Sequence, residues 1–486
     1  MDDGSIKAFS EKERSLIIAP AGCGKTEIIA KSVSYSSGSN EKQLILTHTH
    51  AGVKSIHDRL RKLGVPKKHY YIDTIAGFAL QYATAFPLSS GLGIDFDPTT
   101  NDWNKVYAAA NAVISSNHGK KVITTSFHGI YVDEYQDCTK QQHNLILKLA
   151  NNLPCRILGD PLQGIFGFHE PIVNWYEDVF PNFERIGDQN TSWTPYRWKD
   201  KNEELGAWLL QVRKDLLNGK QVDFRKLPKG CKWLPLSPQN MFPQREACLE
   251  KANTKETVVA IQHLPHQAHA LAKILKGAYT SMEEVDSKDL SKWTSKIEKS
   301  TGPERAINVV EFASICMTEI STVLTTIKTK IQNGNKIAKN NLKYIEIFED
   351  LVRVSENDNL ATILPALKKI EKIPGRVLYR RELWRDMNRA IEEHINSNDS
   401  ISLQKSAWKM RDLGRSFGRA VEKRIVSRTL LIKGLEFEHC IVANADELDA
   451  KELYVALTRG SKTLTVFSSN PIIQKALPSE LHPPQK

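Results

Sequence analysis

The chain has 486 residues, room for about three domains at ~150 residues each, and its 41% apolar and 25% charged residues argue against a disordered or fibrous chain. No run approaches the ~20 uninterrupted apolar residues that a membrane helix needs, and the charged stretch 1–14 predicts no secretory signal. A formal charge of +11 favours a polyanionic partner, nucleic acid first, and the seven cysteines form no CxxC pair, which fits free thiols in a reducing cytoplasm.

In chain order, Ser15–Ala19 is a short apolar run ending in a Gly-rich turn, as a buried parallel strand should be. Gln43–Thr47, Gly129–Val132 and Cys155–Leu158 read the same way, each followed by a loop and a helical pattern, so a parallel sheet with crossover helices is predicted. The turn-rich piece from Pro87 places a small insertion at about 85–125. A second α/β unit begins near Trp193, with strands at Thr257–Ile261, Cys440–Ala443 and Thr463–Phe467. Between them the Lys- and Glu-rich region 290–410 has apolar residues at helical spacing and reads as a helical insertion.

The segment Ala19-Pro20-Ala21-Gly22-Cys23-Gly24-Lys25-Thr26 follows a strand and opens a helix. Glycines free backbone N–H groups to wrap phosphate, the helix N-terminus adds its dipole, Lys25 can reach the β- and γ-phosphates, and Thr26 can hold Mg²⁺. Downstream, Asp133 and Glu134 end a strand of their own. One carboxylate of such a pair can hold Mg²⁺ while its neighbour polarises the attacking water. Arg197 and Arg459 are candidates for completing the charge stabilisation, although a lone arginine is more often a surface ion-pair partner.

In order along the chain, the stretches 19–26, 45–60, 73–83, 132–146, 157–171, 194–197, 430–442 and 453–466 resemble the motifs of the UvrD/Rep/PcrA-like branch of superfamily 1 DNA helicases and translocases. The resemblance implies two RecA-like P-loop NTPase domains with parallel sheets, each carrying an insertion. It divides the chain into a first unit (1–84 and 126–192), a small 1B-like insertion (85–125), a second unit (193–289 and 411–486) and a helical 2B-like insertion (290–410). It implies ATP and Mg²⁺ as cofactors, with Ala21, Gly22, Cys23, Gly24, Lys25 and Thr26 on the phosphates, Thr26 and Asp133 on the metal, and Glu134 as catalytic base. Gln163 is then the γ-phosphate sensor, Arg197 and Arg459 are arginine fingers, and Glu436 touches the ribose. Single-stranded DNA, or tailed duplex, is the implied partner, moved 3′ to 5′ past His48, Thr74, Phe166 and Phe168. From spacing alone both phenylalanines read as core packing.

The chain departs from the family pattern in four places. Residues 1–42 contain no Gln to read adenine, Phe168 and His169 stand where Trp and Arg are usual, 429–434 lacks the usual His and Ser, and both insertions are short. The compact length also resembles the helicase component of Gabija-type antiphage systems, which implies an OLD-family nuclease partner and an NTPase that signals DNA to it. The basic stretch 405–424, with Trp408 and Phe417 interleaved, reads either as a solvated helix face or as a nucleic-acid contact. The histidines form no HxxxH or HExxH arrangement, which excludes a zinc site of that kind.

Overall fold

The computed structural model describes residues 3–36, 41–93, 96, 102–166, 170–187, 191–237, 240–283, 288–334, 343–397, 401–409 and 422–481. The first sheet comprises β1 (Arg14–Ile18), β2 (Gln43–Thr47), β3 (Tyr70–Thr74), β4 (Gly129–Val132), β5 (Cys155–Gly159) and β6 (Glu184–Arg185), in the order β3-β2-β4-β5-β1-β6. Every pairing is parallel. Helices cover both faces, so β2, β4 and β5 are buried along their whole length, which is why they read as unbroken apolar runs.

Register decides where the chemistry falls. Ile18 lies opposite Gly159, and Val132 opposite Ile157, so β1, β4 and β5 end along one edge of the sheet. The residues that follow, Ala19, Asp133 and Asp160, therefore share a single rim, the place where parallel α/β sheets bind their ligands.

After β7 (Val222–Asp223) the second sheet is built from β8 (Lys232–Pro235), β9 (Val258–Gln262), β10 (Thr280–Ser281), β11 (Arg424–Arg428), β12 (Phe437–Val442) and β13 (Gly460–Ser468). Its order is β10-β11-β9-β12-β13-β8, again parallel throughout, and β14 (Ile472–Ile473) pairs antiparallel with β7. The fold is thus α/β with two RecA-like parallel sheets. One continuous apolar cluster joins them, with Leu16 and Ala21 of the first unit packed in it beside Trp198, Leu453 and Tyr454 of the second.

The piece expected as a small insertion at 85–125 lies close on the first sheet. Its helices Trp103–Ser115 and Asn117–Ser126 bury Val106, Val113 and Ile123 in the same cluster as Leu44 and Leu46. Alternation of buried and exposed positions along these helices lets them thicken one face of the sheet instead of standing off it.

The region between β10 and β11 is mainly helical where it is described, with a core of its own. At its centre Phe312 and Trp384 stack with ring centroids 5.7 Å apart. Buried Arg380 pairs with Glu283, two residues past β10, and with Asp289 on the helix Lys288–Lys299, at 2.6 and 2.7 Å. Of the basic stretch 405–424, positions 410–421 lie outside the described residues; within the described part, Trp408 is exposed and Lys409 pairs with Glu393.

Candidate nucleotide cleft between the two units

The phosphate loop leaves β1 and turns at two left-handed glycines, Gly22 (φ +69°) and Gly24 (φ +85°), before the helix Lys25–Ser36 begins. Glycine is needed at position 22 for a second reason. A Cβ there would stand 2.5 Å from Trp198 Cζ3 and 2.8 Å from Arg197 Cβ. The loop is therefore packed directly against the start of the second unit, and the Arg197 N–H donates to Gly22 O at 3.1 Å. From further along the chain, Tyr454 Oη accepts the Ala21 N–H at 3.0 Å.

Lys25 is buried, with Nζ 3.5 Å from Ala19 O, and Thr26 Oγ1 lies 3.5 Å from Asp133 Oδ2. A hydroxyl and a carboxylate facing each other beside a glycine cradle form the oxygen donor set that Mg²⁺ prefers. The residues present thus fit a magnesium nucleotide. Cys23, inside the loop, is an inert filler, because burial pushes its thiol up to about 12.

At the end of β4, Asp133 Oδ1 accepts the Glu134 N–H at 2.9 Å. Glu134 itself is left-handed (φ +53°), an uncommon conformation for a side-chain-bearing residue and one that re-aims its carboxylate off the strand. Burial and the adjacent Glu134 charge push Asp133 up. Burial opposes charge on Glu134 too, but Lys25 and Lys433 outweigh it and hold that carboxyl below the usual range. Gln136 Nε2 donates to Glu134 Oε2. Beyond β5, Gln163 is buried and its Nε2 donates to Asp160 Oδ2 at 3.1 Å.

The second unit turns the amino ends of β12 and β13 toward this rim. Glu436 precedes β12, and Arg459 precedes β13. Arg197 donates to Glu436 Oε1 at 2.8 Å and to Thr458 O at 2.7 Å, while its buried Nε has no hydrogen-bond partner among the described residues. Burial works against charge on Glu436, and Arg197 beside it overcomes this and holds its carboxyl down. Arg459 is 1% exposed and committed to Val455 O, Leu435 O and Thr458 Oγ1; burial and then the nearby Arg197 pull its guanidinium down to about 9. Both candidate fingers are thus at the cleft, held here by groups of their own unit.

Of the expected DNA contacts, Phe166 is 37% exposed, on the same rim. Thr74 is buried, and its hydroxyl oxygen caps the helix Ile75–Ala85 by accepting the Gly77 N–H at 2.9 Å. His48 is half-buried with Nε2 3.5 Å from Cys138 Sγ, and burial, helped by Lys433, drives it down to about 3. Phe168 lies outside the described residues.

Sequence reasoning missed Lys433. From the second unit it reaches both Asp137 carboxylate oxygens and Gln163 O, and it lies 4.7 Å from the Phe166 ring centroid. Burial lowers its pKa despite Asp137. The signal was present as a lysine inside the stretch 430–442, but pairing it with a carboxylate almost 300 positions away needs the folded chain. Tyr454 was missed for the same reason.

Residues 4–169 match a family model described as an AAA domain. Over 84 residues the chain is 29% identical to a protein of Leuconostoc mesenteroides subsp. mesenteroides whose name describes one subunit of an ATP-dependent helicase/nuclease. That similarity covers 17% of this chain and 7% of the length of the relative. Together with the strand–glycine loop–helix geometry, the match over residues 4–169 supports a P-loop nucleotide-binding domain in the first unit.

Proposed function

We propose that the chain is an ATP-dependent translocase or helicase that acts on single-stranded or 3′-tailed DNA and moves 3′ to 5′. One observation carries the reading. Residues suited to hydrolysis come from two units that meet at one rim, with Lys25, Thr26, Asp133, Glu134 and Gln163 on one side and Arg197, Lys433, Glu436 and Arg459 on the other.

In this reading the loop N–H groups and Lys25 hold the phosphates, and Thr26 and Asp133 hold Mg²⁺. The metal, when bound, neutralises phosphate charge. Glu134 takes the proton of the attacking water, and the charge on Lys25 and Lys433 keeps it ionised for that task. Gln163 senses the γ-phosphate. Arg197 exchanges Glu436 for phosphate oxygen, which frees Glu436 for the ribose. Arg459 adds a second positive charge, after giving up backbone partners on its own unit. Each exchange draws the second unit toward the first, and loss of the γ-phosphate reverses it. Phe166 offers a π face at the same rim, and stacking on such a face tolerates any base.

The test is steady-state ATP hydrolysis with and without a single-stranded DNA oligomer, across a salt series. Strong stimulation that fades with salt is expected, followed by unwinding of 3′-tailed but not 5′-tailed duplex. Lys25→Ala should reduce turnover to background while DNA binding persists. Unstimulated basal hydrolysis would sink the motor and favour a regulatory NTPase that reports DNA to a nuclease partner.

A further inference from the structure

We infer that Arg213, which hydrogen-bonds to neither the phosphate loop nor the acidic pair among the described residues, is a positioning residue that sets both the γ-phosphate sensor and the catalytic base from the second unit. The inference rests on the reading of Gln163 and Glu134 given above and adds to it the residue that holds them.

Arg213 lies on the helix Glu203–Leu217, which packs on β13 and on the helix Ala450–Leu457 and so travels with the second unit. Its guanidinium grips Asp160, just past β5 of the first unit. Nε lies 3.1 Å from Oδ1 and 3.3 Å from Oδ2, and Nη2 lies 2.8 Å from Oδ1. Asp160 is fully buried, and a buried carboxylate is strongly destabilising unless it is paired. A planar fork fixes that carboxylate in orientation as well as in place, which an ammonium does not.

Two branches leave Asp160. Through its side chain, Oδ2 accepts from Gln163 Nε2 at 3.1 Å, so the plane of the carboxylate sets which way the carboxamide points. Through its backbone, the Asp160 N–H donates to Gln136 Oε1 at 3.0 Å, and the other end of the same amide, Nε2, donates to Glu134 Oε2. Gly159 leaves room for this arrangement, since a Cβ there would stand 2.8 Å from Gln136 Oε1. Every polar atom along both branches has a fixed donor or acceptor role except the Gln136 and Gln163 amide ends, and these are set by the carboxylates they serve.

The chain of contacts therefore runs from a second-unit helix to the two groups that meet the γ-phosphate and the water. It gives that helix a lever on turnover that does not pass through ATP binding. Tyr454, which holds the Ala21 N–H, belongs to the neighbouring helix Ala450–Leu457, so the phosphate loop and Asp160 are referenced to the same pair of helices.

The experiment compares wild type with Arg213→Lys in ATP hydrolysis, with KM and kcat resolved and binding of a fluorescent ATP analogue measured separately. The expected result is a fall in kcat of at least tenfold with KM and analogue affinity within about twofold of wild type, because Lys25 and Thr26 are untouched. Normal kcat in folded Arg213→Lys overturns the inference, as does a loss confined to KM. A merely structural pair would lower the melting temperature and leave kcat per folded molecule unchanged. Should Arg213→Lys not fold, the neutral pair Arg213→Gln with Asp160→Asn keeps an amide bridge without buried charge. Its kcat is also expected to fall, because Gln163 loses its ionised acceptor, and wild-type kcat there overturns the inference as well. Failure of the functional reading is seen separately, as absence of Lys25-dependent hydrolysis in the wild type.

Discussion

At the scale of single residues, the phosphate loop tolerates no addition at Gly22. Its φ of +69° and the 2.5 Å approach of Trp198 act together. Gly22→Ala is expected to lose at least tenfold in nucleotide affinity, because the loop must back away from the second unit to admit a methyl group. A melting curve with and without ATP analogue checks this, and wild-type stabilisation by the analogue counts against it. His48 gives a pH signature. Burial drives its folded pKa from 6.5 to about 3, so the unfolded chain binds a proton between those values that the folded chain does not. Stability from this group is therefore present above pH 6.5 and lost as pH falls toward 3, at up to about 1.4 kcal/mol per pH unit. His48→Gln should lose about 1–2 kcal/mol less than wild type between about pH 7 and pH 5, read from urea midpoints at the two values; parallel losses would refute it. Phe166→Ala should weaken single-stranded DNA by about 1–3 kcal/mol, the range for one stacked base, in a filter-binding titration. Unchanged affinity would return that ring to a packing role.

At the scale of elements, the strands legible from sequence were those buried on both faces. β2, β4 and β5 have no exposed position, and an apolar run is their direct imprint. β3 (YYIDT) is half-buried at the sheet edge and carries Asp73, so it lacks that imprint and was absorbed into the motif that follows it. β11 (RIVSR) is bounded by charges, and β10 is two residues long. In the candidate site, the phosphate loop and the acidic pair were legible because each sits in one short segment at the end of one strand. Lys433 on Asp137 and Tyr454 on Ala21 were not, since spacing within a segment says nothing about which segments meet. The helical insertion is tied to its base in part by buried Arg380, paired with Glu283 just past β10 and with Asp289, beside the hydrogen bonds that the Ser281 N–H and Thr280 hydroxyl donate to Tyr379 O. Removing one partner of a buried pair costs about 3–5 kcal/mol. Arg380→Met should thus loosen the insertion from its base and speed tryptic cleavage at its margins, with the first sheet still resistant. An unaltered digestion pattern would show that the Arg380 pairing is dispensable.

At the scale of the whole molecule, the two units share one apolar cluster, so the cleft does not open like two separate bodies on a free hinge. Small sliding of packed helices suits such an interface better than a wide swing. The net charge of +11 adds a long-range attraction for polyanions that salt should screen. The helical insertion has a further consequence through the order of the second sheet. β10 and β11 are adjacent and parallel, and the whole insertion is the chain that runs from one to the other. Parallel neighbours cannot be joined by a tight turn; the return path over the sheet takes about a dozen residues or more. The insertion is therefore also the sheet's stitch. A deletion that splices Glu283 directly to Lys423 would leave β11 unable to regain its place between β10 and β9, whereas a graft that keeps a spanning helix would close the sheet without the rest.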